Sequence, residues 1–156
     1  MNKTGSDDGI SLRPCLNADL SQVHVIERES FPENPYPAIA FVNLLMLAGE
    51  GFVVACSGDS VVGYAIGTDI GGEGMIQSMA VTPSFRRRGV GTRLLGSVIE
   101  HLSKERRRVS LLVDVSNVAA IRLYRKFSFS ETGRVIRAYY PNGSDAIEMA
   151  REATAA

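Results

Sequence analysis

The sequence predicts an α/β fold built as one domain. Short apolar runs of strand length recur seven times, four stretches carry apolar residues at helical spacing, and turns rich in Gly, Pro, Ser and Asn separate them. At 156 residues the chain has room for one full hydrophobic core. Its net charge is zero and its pI is about 6.7, so no global charge points to nucleic acid or an anionic membrane. Cys15 and Cys56 are too few and too distant in sequence for a disulfide framework or a metal site, and a reduced, cytoplasmic setting is expected. No run approaches the length of a membrane span, and the opening MNKTGSDDG lacks the apolar centre of a signal peptide.

Residues 1–9 are polar and predict a disordered tail, ahead of a folded unit over 10–151 and a short C-terminal tail over 152–156. A first strand is expected at 10–13. Asn17 is placed to cap a helix running to residue 30, with Leu20, Val23, Val25 and Ile26 as its apolar positions and His24 in a structural role. Three prolines between Phe31 and Pro37 remove donors and fix φ, which predicts a stiff loop. A second helix follows over 37–48 and ends at Gly49. Residues 51–56 and 61–67 read as two strands joined by the hairpin turn Ser57-Gly58-Asp59-Ser60.

The centre of the chain is the stretch from Met75 to Arg106: an apolar strand, a Thr-Pro-Ser turn, an Arg/Gly loop and a helix. Val90, Leu94, Leu95, Val98, Ile99 and Leu102 make one apolar stripe on that helix. Its start leaves N–H groups unpaired and carries partial positive charge, so an anion such as a phosphate is the natural ligand there. Gly89 and Gly91 lack Cβ and would let such a ligand come close. The loop is neither a Walker P-loop, because no Gly-Lys-Ser/Thr is present, nor a Rossmann fingerprint, because Leu94 stands where its third Gly belongs. The cluster Arg106 to Arg108 reads as a solvated helix end. In the strand expected at 109–115, Val109, Leu111, Val113 and Val115 share one face, and Ser110, Leu112 and Asp114 the other. Ser116 is placed to cap a helix over 117–127, and a hairpin follows from 134–140 and 145–150 around the Pro141-Asn142-Gly143-Ser144 turn.

Three blocks of sequence go further than pattern. Arg86-x-x-Gly89-x-Gly91, preceded by Met79-Ala80-Val81, resembles the acetyl-CoA signature of the GNAT acetyltransferase superfamily. Asn117-x-x-Ala120-x-x-Leu123-Tyr124 resembles its second motif, with Ser128 where the family usually has Gly. Phe31-Pro32-Glu33-Asn34 and Tyr139-Tyr140-Pro141-Asn142-Gly143 resemble the acceptor loops of RimI-type and archaeal N-terminal acetyltransferases. The likeness spans roughly residues 10–151.

It implies a three-layer fold whose mixed, mostly antiparallel sheet of six to seven strands is splayed at its centre. It implies acetyl-CoA held by Met79, Ala80, Val81, Arg86, Arg87, Arg88, Gly89, Val90, Gly91, Thr92, Asn117 and Tyr124, the Tyr124 hydroxyl reaching the CoA sulfur. It further implies a protein or peptide N-terminus as acceptor, held by Phe31, Pro32, Glu33 and Tyr139 and acetylated directly in a ternary complex. Ribosome association is compatible with the Arg clusters, neither nucleic acid nor membrane is required, and the enzyme would act as a monomer or homodimer. The family's usual general base, a Glu five residues before the motif Asn, is Leu112 here, which leaves Glu33 ahead of Asp114 as candidates. Another amine acceptor, or an acyl-CoA-binding module without catalysis, would use the same cofactor residues.

Overall fold

The computed structural model describes residues 9–104 and 108–153. Of the tails expected at 1–9 and 152–156, residues 1–8 and 154–156 lie outside the described residues, as do the cluster residues Arg106 and Arg107. In chain order the elements are β1 (Ile10–Pro14), α1 (Leu20–Ser30), α2 (Ala38–Ala48), β2 (Phe52–Ser57), β3 (Ser60–Ile70), β4 (Glu73–Val81), α3 (Val90–Ser103), β5 (Val109–Asp114), α4 (Val118–Lys126), β6 (Ser130–Ile136) and β7 (Ala146–Arg151). The strands form one sheet in the order β1-β2-β3-β4-β5-β7-β6. Every neighbouring pair is antiparallel except β4 and β5. This is the α/β class and the mixed, mostly antiparallel sheet that the sequence leads one to expect.

Alternation along β2 splits the interior into two layers. Val53 and Ala55 pack with the buried α3 stripe, whereas Phe52, Val54 and Cys56 pack with Val23 and Ile26 of α1 and Phe41 of α2. The six apolar residues expected along α3 are all buried. This helix lies hard against the sheet because Gly67 of β3 carries no side chain: a Cβ there would come within 2.3 Å of Val98 Cγ1 and 2.9 Å of Leu102 Cδ1.

The sheet opens between its two central strands. Parallel pairing of β4 with β5 is limited to Gly74↔Val109, Met75↔Ser110 and Ile76↔Leu111. One residue further along β4, the register with β3 slips between Ile66↔Ser78 and Gly67↔Ile76, so that Gln77 is an extra residue on β4. Such a bulge bends its strand, and it sits where β4 departs from β5.

Several local expectations need correction. Asn17 does not cap α1; a single 3-10 turn, Asn17–Asp19, precedes the helix, and the Asp19 carboxylate accepts from the Leu16 N–H (2.7 Å) and from Arg13. Val25 is exposed, and Glu27 takes its place on the buried side. β5 stops at Asp114, not Val115, because Asp114 Oδ1 accepts from both the N–H and the hydroxyl of Ser116. Ser116 is thereby spent, and Asn117 caps α4, its Oδ1 accepting from Ala120 N. β6 begins earlier and ends at Ile136, since the chain then turns through Ala138, whose N–H donates to Asp145. Arg108 lies beyond α3 and bonds to Glu73 and Glu152, so it is paired and not a helix-end cation. Among the described residues no helix is long and apolar enough to cross a membrane.

Candidate active site

Where β4 and β5 part, a cleft of about 680 Å³ runs through the sheet and is lined from both layers. Beyond Ile76 the edge of β4 that faces β5 has no strand partner, so backbone polar groups near Met79–Val81 look into the cleft. On one side lies the start of α3. Its first intrahelical bond runs from Arg93 N to Gly89 O, which leaves the preceding amides without helical partners. No side chain caps this end and its first turn holds no acidic residue. Gly89 sits at φ 77°, a left-handed conformation that favours glycine. A Cβ on Gly91 would meet only ordinary contacts at 3.7–3.9 Å, so packing within the protein does not demand glycine there.

The three loop arginines go different ways. Arg86 donates from Nε to the Val81 carbonyl (2.9 Å) and from its guanidinium to Ser30 (3.2 Å), which ties β4 to the end of α1. Arg87 lines the cleft on a left-handed backbone, φ 63°. Arg88 does not line it and instead stacks its guanidinium 4.9 Å over the Phe85 ring. Lys126, unmarked by any motif, adds a cation to the lining from α4.

Asn117 and Tyr124 both reach the cleft from α4. Asn117 Oδ1 is engaged as the cap, and its amide nitrogen is left to donate to a ligand. Tyr124 is 7% exposed, packs 5.9 Å from Phe129, and burial pushes its hydroxyl up to about 12. The hydroxyl therefore stays protonated throughout the physiological range and keeps its proton available to donate.

The expected acceptor residues divide in their relation to the cleft. Phe31 lines it; Pro32 and Glu33 do not. Glu33 is exposed, and its carboxylate accepts from Asn142 Nδ2 (2.8 Å), which joins the proline loop to the β6–β7 turn. Tyr139 is 48% exposed and stands edge-on to Tyr140, ring centroids 5.0 Å apart. It is Tyr140 that lines the cleft, with its hydroxyl held above the usual tyrosine range by burial. Asp114 does line the cleft, but its Oδ1 already takes the two bonds from Ser116. Leu112 lies in the same lining and offers no proton acceptor.

Another cleft residue outside the motifs is ionisable and buried. Glu27 of α1 is 2% exposed and accepts from the Tyr64 hydroxyl, from Ser78 Oγ (3.3 Å) and from the Tyr36 N–H (3.2 Å). Burial holds its carboxyl above the ordinary carboxylate range, against the opposing pull of those three bonds. The signal was its position: Val23, Ile26 and Glu27 are spaced i, i+3, i+4, which puts the carboxylate on the inward stripe.

An open seam in a mixed sheet, faced by an uncapped helix start and a buried tyrosine, is the architecture of an acyltransferase of the GNAT kind. The Acetyltransferase (GNAT) family model matches residues 20–129, and the chain belongs to that family. Among its relatives are an N-alpha-acetyltransferase of Saccharolobus solfataricus, 35% identical over 90% of this chain and 92% of the relative, and the N-alpha-acetyltransferase RimI of Mycobacterium tuberculosis, 30% identical over 96% of each. Arabidopsis thaliana Naa50, solved in complex with the bisubstrate analogue CoA-Ac-MVNAL, superposes with a TM-score of 0.81 at 26% identity over 92% of this chain and 99% of that one. The residues present suit acetyl-CoA. Unpaired helix amides with Arg87 and Lys126 fit a diphosphate, and the bare edge of β4 offers backbone groups to the amide-bearing arm.

Proposed function

We propose that this chain transfers acetyl from acetyl-CoA to the N-terminal α-amine of proteins or peptides, in a single step within a ternary complex. The observation that supports this reading best is that one cleft is lined together by the α3 helix start, Tyr124, Phe31 and Tyr140. Acetyl-CoA supplies an activated acyl group as a thioester. The α3 amides, with Arg86, Arg87 and Gly89–Thr92 around them, hold its phosphates, and the amide nitrogen of Asn117 is free to steady the arm. Amides on the free edge of β4 donate to the carbonyl oxygen, where negative charge grows during attack. Tyr124 donates to the departing sulfur.

On the acceptor side, Phe31 and Tyr140 flank the entrance, and the Glu33–Asn142 bond fixes the two loops relative to each other. About a tenth of an α-amine of pKa near 8 is neutral at pH 7, so the nucleophile is available without a strong base. A cytoplasmic setting fits this reading, since proteins emerging from the ribosome present such amines there and free thiols such as Cys15 and Cys56 stay reduced. A panel of short peptides differing in their first two residues, incubated with acetyl-CoA and analysed by mass spectrometry for the site of acetylation, tests the reading. Acetyl on the α-amine is expected. Acetyl only on lysine side chains, or CoA binding without turnover on any peptide, would reject it.

A further inference from the structure

The reaction needs somewhere for the acceptor's proton to go, and the position that commonly supplies a carboxylate is Leu112. On the opposite wall of the cleft, the face of the sheet covered by α1 and α2 holds Glu27, Ser78 and Tyr64. Glu27 and Ser78 line the cleft; the Tyr64 hydroxyl lies 3.1 Å from Ser78 Oγ, and both hydroxyls bond to the same oxygen, Glu27 Oε2. The other oxygen, Oε1, accepts from Tyr36 N in the proline loop. Ser78 directly precedes Met79 on β4, the strand whose free edge faces the thioester, and Phe31, at the mouth where an acceptor enters, terminates the helix that carries Glu27.

We propose that Ser78 and Glu27 form the proton exit of the transferase: Ser78 Oγ takes the proton of the attacking amine while its own passes to Glu27 Oε2. This rests on the acetyl-transfer reading above. As the C–N bond forms, the amine nitrogen becomes strongly acidic and gives up one N–H. The C–S bond breaks with its electron pair on sulfur, which accepts the hydrogen bond from Tyr124 and is then protonated from solvent. The proton carried by Glu27 returns to solvent, so the sum is one amide, one thiol and no net change in the protein. Tyr64 and Tyr36 N, by bonding to the carboxylate, keep it oriented toward Ser78 and oppose its protonation by the buried surroundings.

The charged and titratable groups facing Glu27 are Tyr64 from β3, Tyr36 and its neighbour Tyr139 from the loops, and His24 on the same helix. Among the described residues no Lys or Arg forms an ion pair with it. Its carboxylate is therefore ionised by raising the pH, through a range displaced upward from that of an exposed Glu, and only the ionised form can accept.

The test is the ratio of wild-type to variant turnover for Glu27→Gln and Ser78→Ala, measured from pH 5.5 to 9 on one peptide, with melting temperatures taken as a check on folding. Titration of the amine itself is common to numerator and denominator and cancels. For both variants the ratio should reach about 100-fold at high pH, the ordinary lower range for general-base catalysis, and fall toward one as acid protonates Glu27. A ratio that does not change with pH, or a Ser78→Ala variant that is folded and as active as wild type, would overturn the proton exit. Failure of the wild-type protein to acetylate any peptide would instead reject the transferase reading on which it rests.

Discussion

Tyr124→Phe separates two parts that a buried tyrosine can play at a leaving thiolate. Its hydroxyl is pushed up to about 12, whereas the parent thiol has a pKa of about 8.5. Full proton transfer to a thiolate of that parent value would be uphill, so the part proposed for Tyr124 is that of a hydrogen-bond donor and not of an acid. A hydrogen bond to a charged group contributes about 1.5–3 kcal/mol, which corresponds to roughly 10- to 150-fold in rate. Charge on sulfur develops only during reaction, so the loss should fall on kcat and spare the affinity for acetyl-CoA. No protein group bonds to the hydroxyl among the described residues, so its removal should leave the fold close to wild-type stability. Pre-steady-state mixing with saturating peptide measures the chemical step, and calorimetry measures acetyl-CoA binding. An unchanged chemical step, or a fall in rate matched by an equal loss of acetyl-CoA affinity, would refute the assignment.

Other substitutions probe the frame that holds the site. Gly67→Ala places a methyl 2.3 Å from Val98 Cγ1 and should cost about 1–3 kcal/mol; thermal melts should fall by several degrees, and CoA affinity should weaken as α3 is pushed off the sheet. Ser128 occupies the left-handed region at φ 68° after α4, so Ser128→Gly should stabilise by about 1 kcal/mol in urea unfolding without changing turnover. Asp19 is held below the usual carboxylate range by the hydrogen bonds from Arg13, so its contribution is present above the unfolded carboxyl value and lost as pH falls through the lower, folded one. Asp19→Asn keeps one oxygen to accept from Leu16 N but loses the paired bonds from Arg13, and should accordingly cost roughly 1 kcal/mol near neutrality, since the partly exposed Arg13 is screened by solvent. In acid the gap from wild type should close.

Periodicity was sufficient for the seven strands, the four helices and the buried stripe of α3, because each rests on spacing within a few residues. The α3 side of the cleft was legible for the same reason: loop and helix are contiguous in sequence. What spacing could not show was competition between neighbours for one partner. Ser116, Asn117 and Asp114 all have capping chemistry, and only the folded geometry decides that Asp114 takes Ser116 and leaves Asn117 to α4. The acceptor side was harder still, because its parts come together across 109 positions in the bond between Glu33 and Asn142. That contact draws Glu33 to the rim. It is Glu27, four residues before Phe31 on the inward side of a short helix, that the fold carries to the cleft, where it meets hydroxyls from two strands far along the chain.

The parallel junction of β4 and β5 amounts to three residue pairs, so the two halves of the sheet resemble a zip left mostly undone. An extended molecule that lies in such an opening and forms hydrogen bonds along its borders acts as a splint. On the proposed reading, catalysis and mechanical stiffening would draw on the same row of backbone groups: the protein would gain rigidity when loaded and give it up each time the spent carrier leaves.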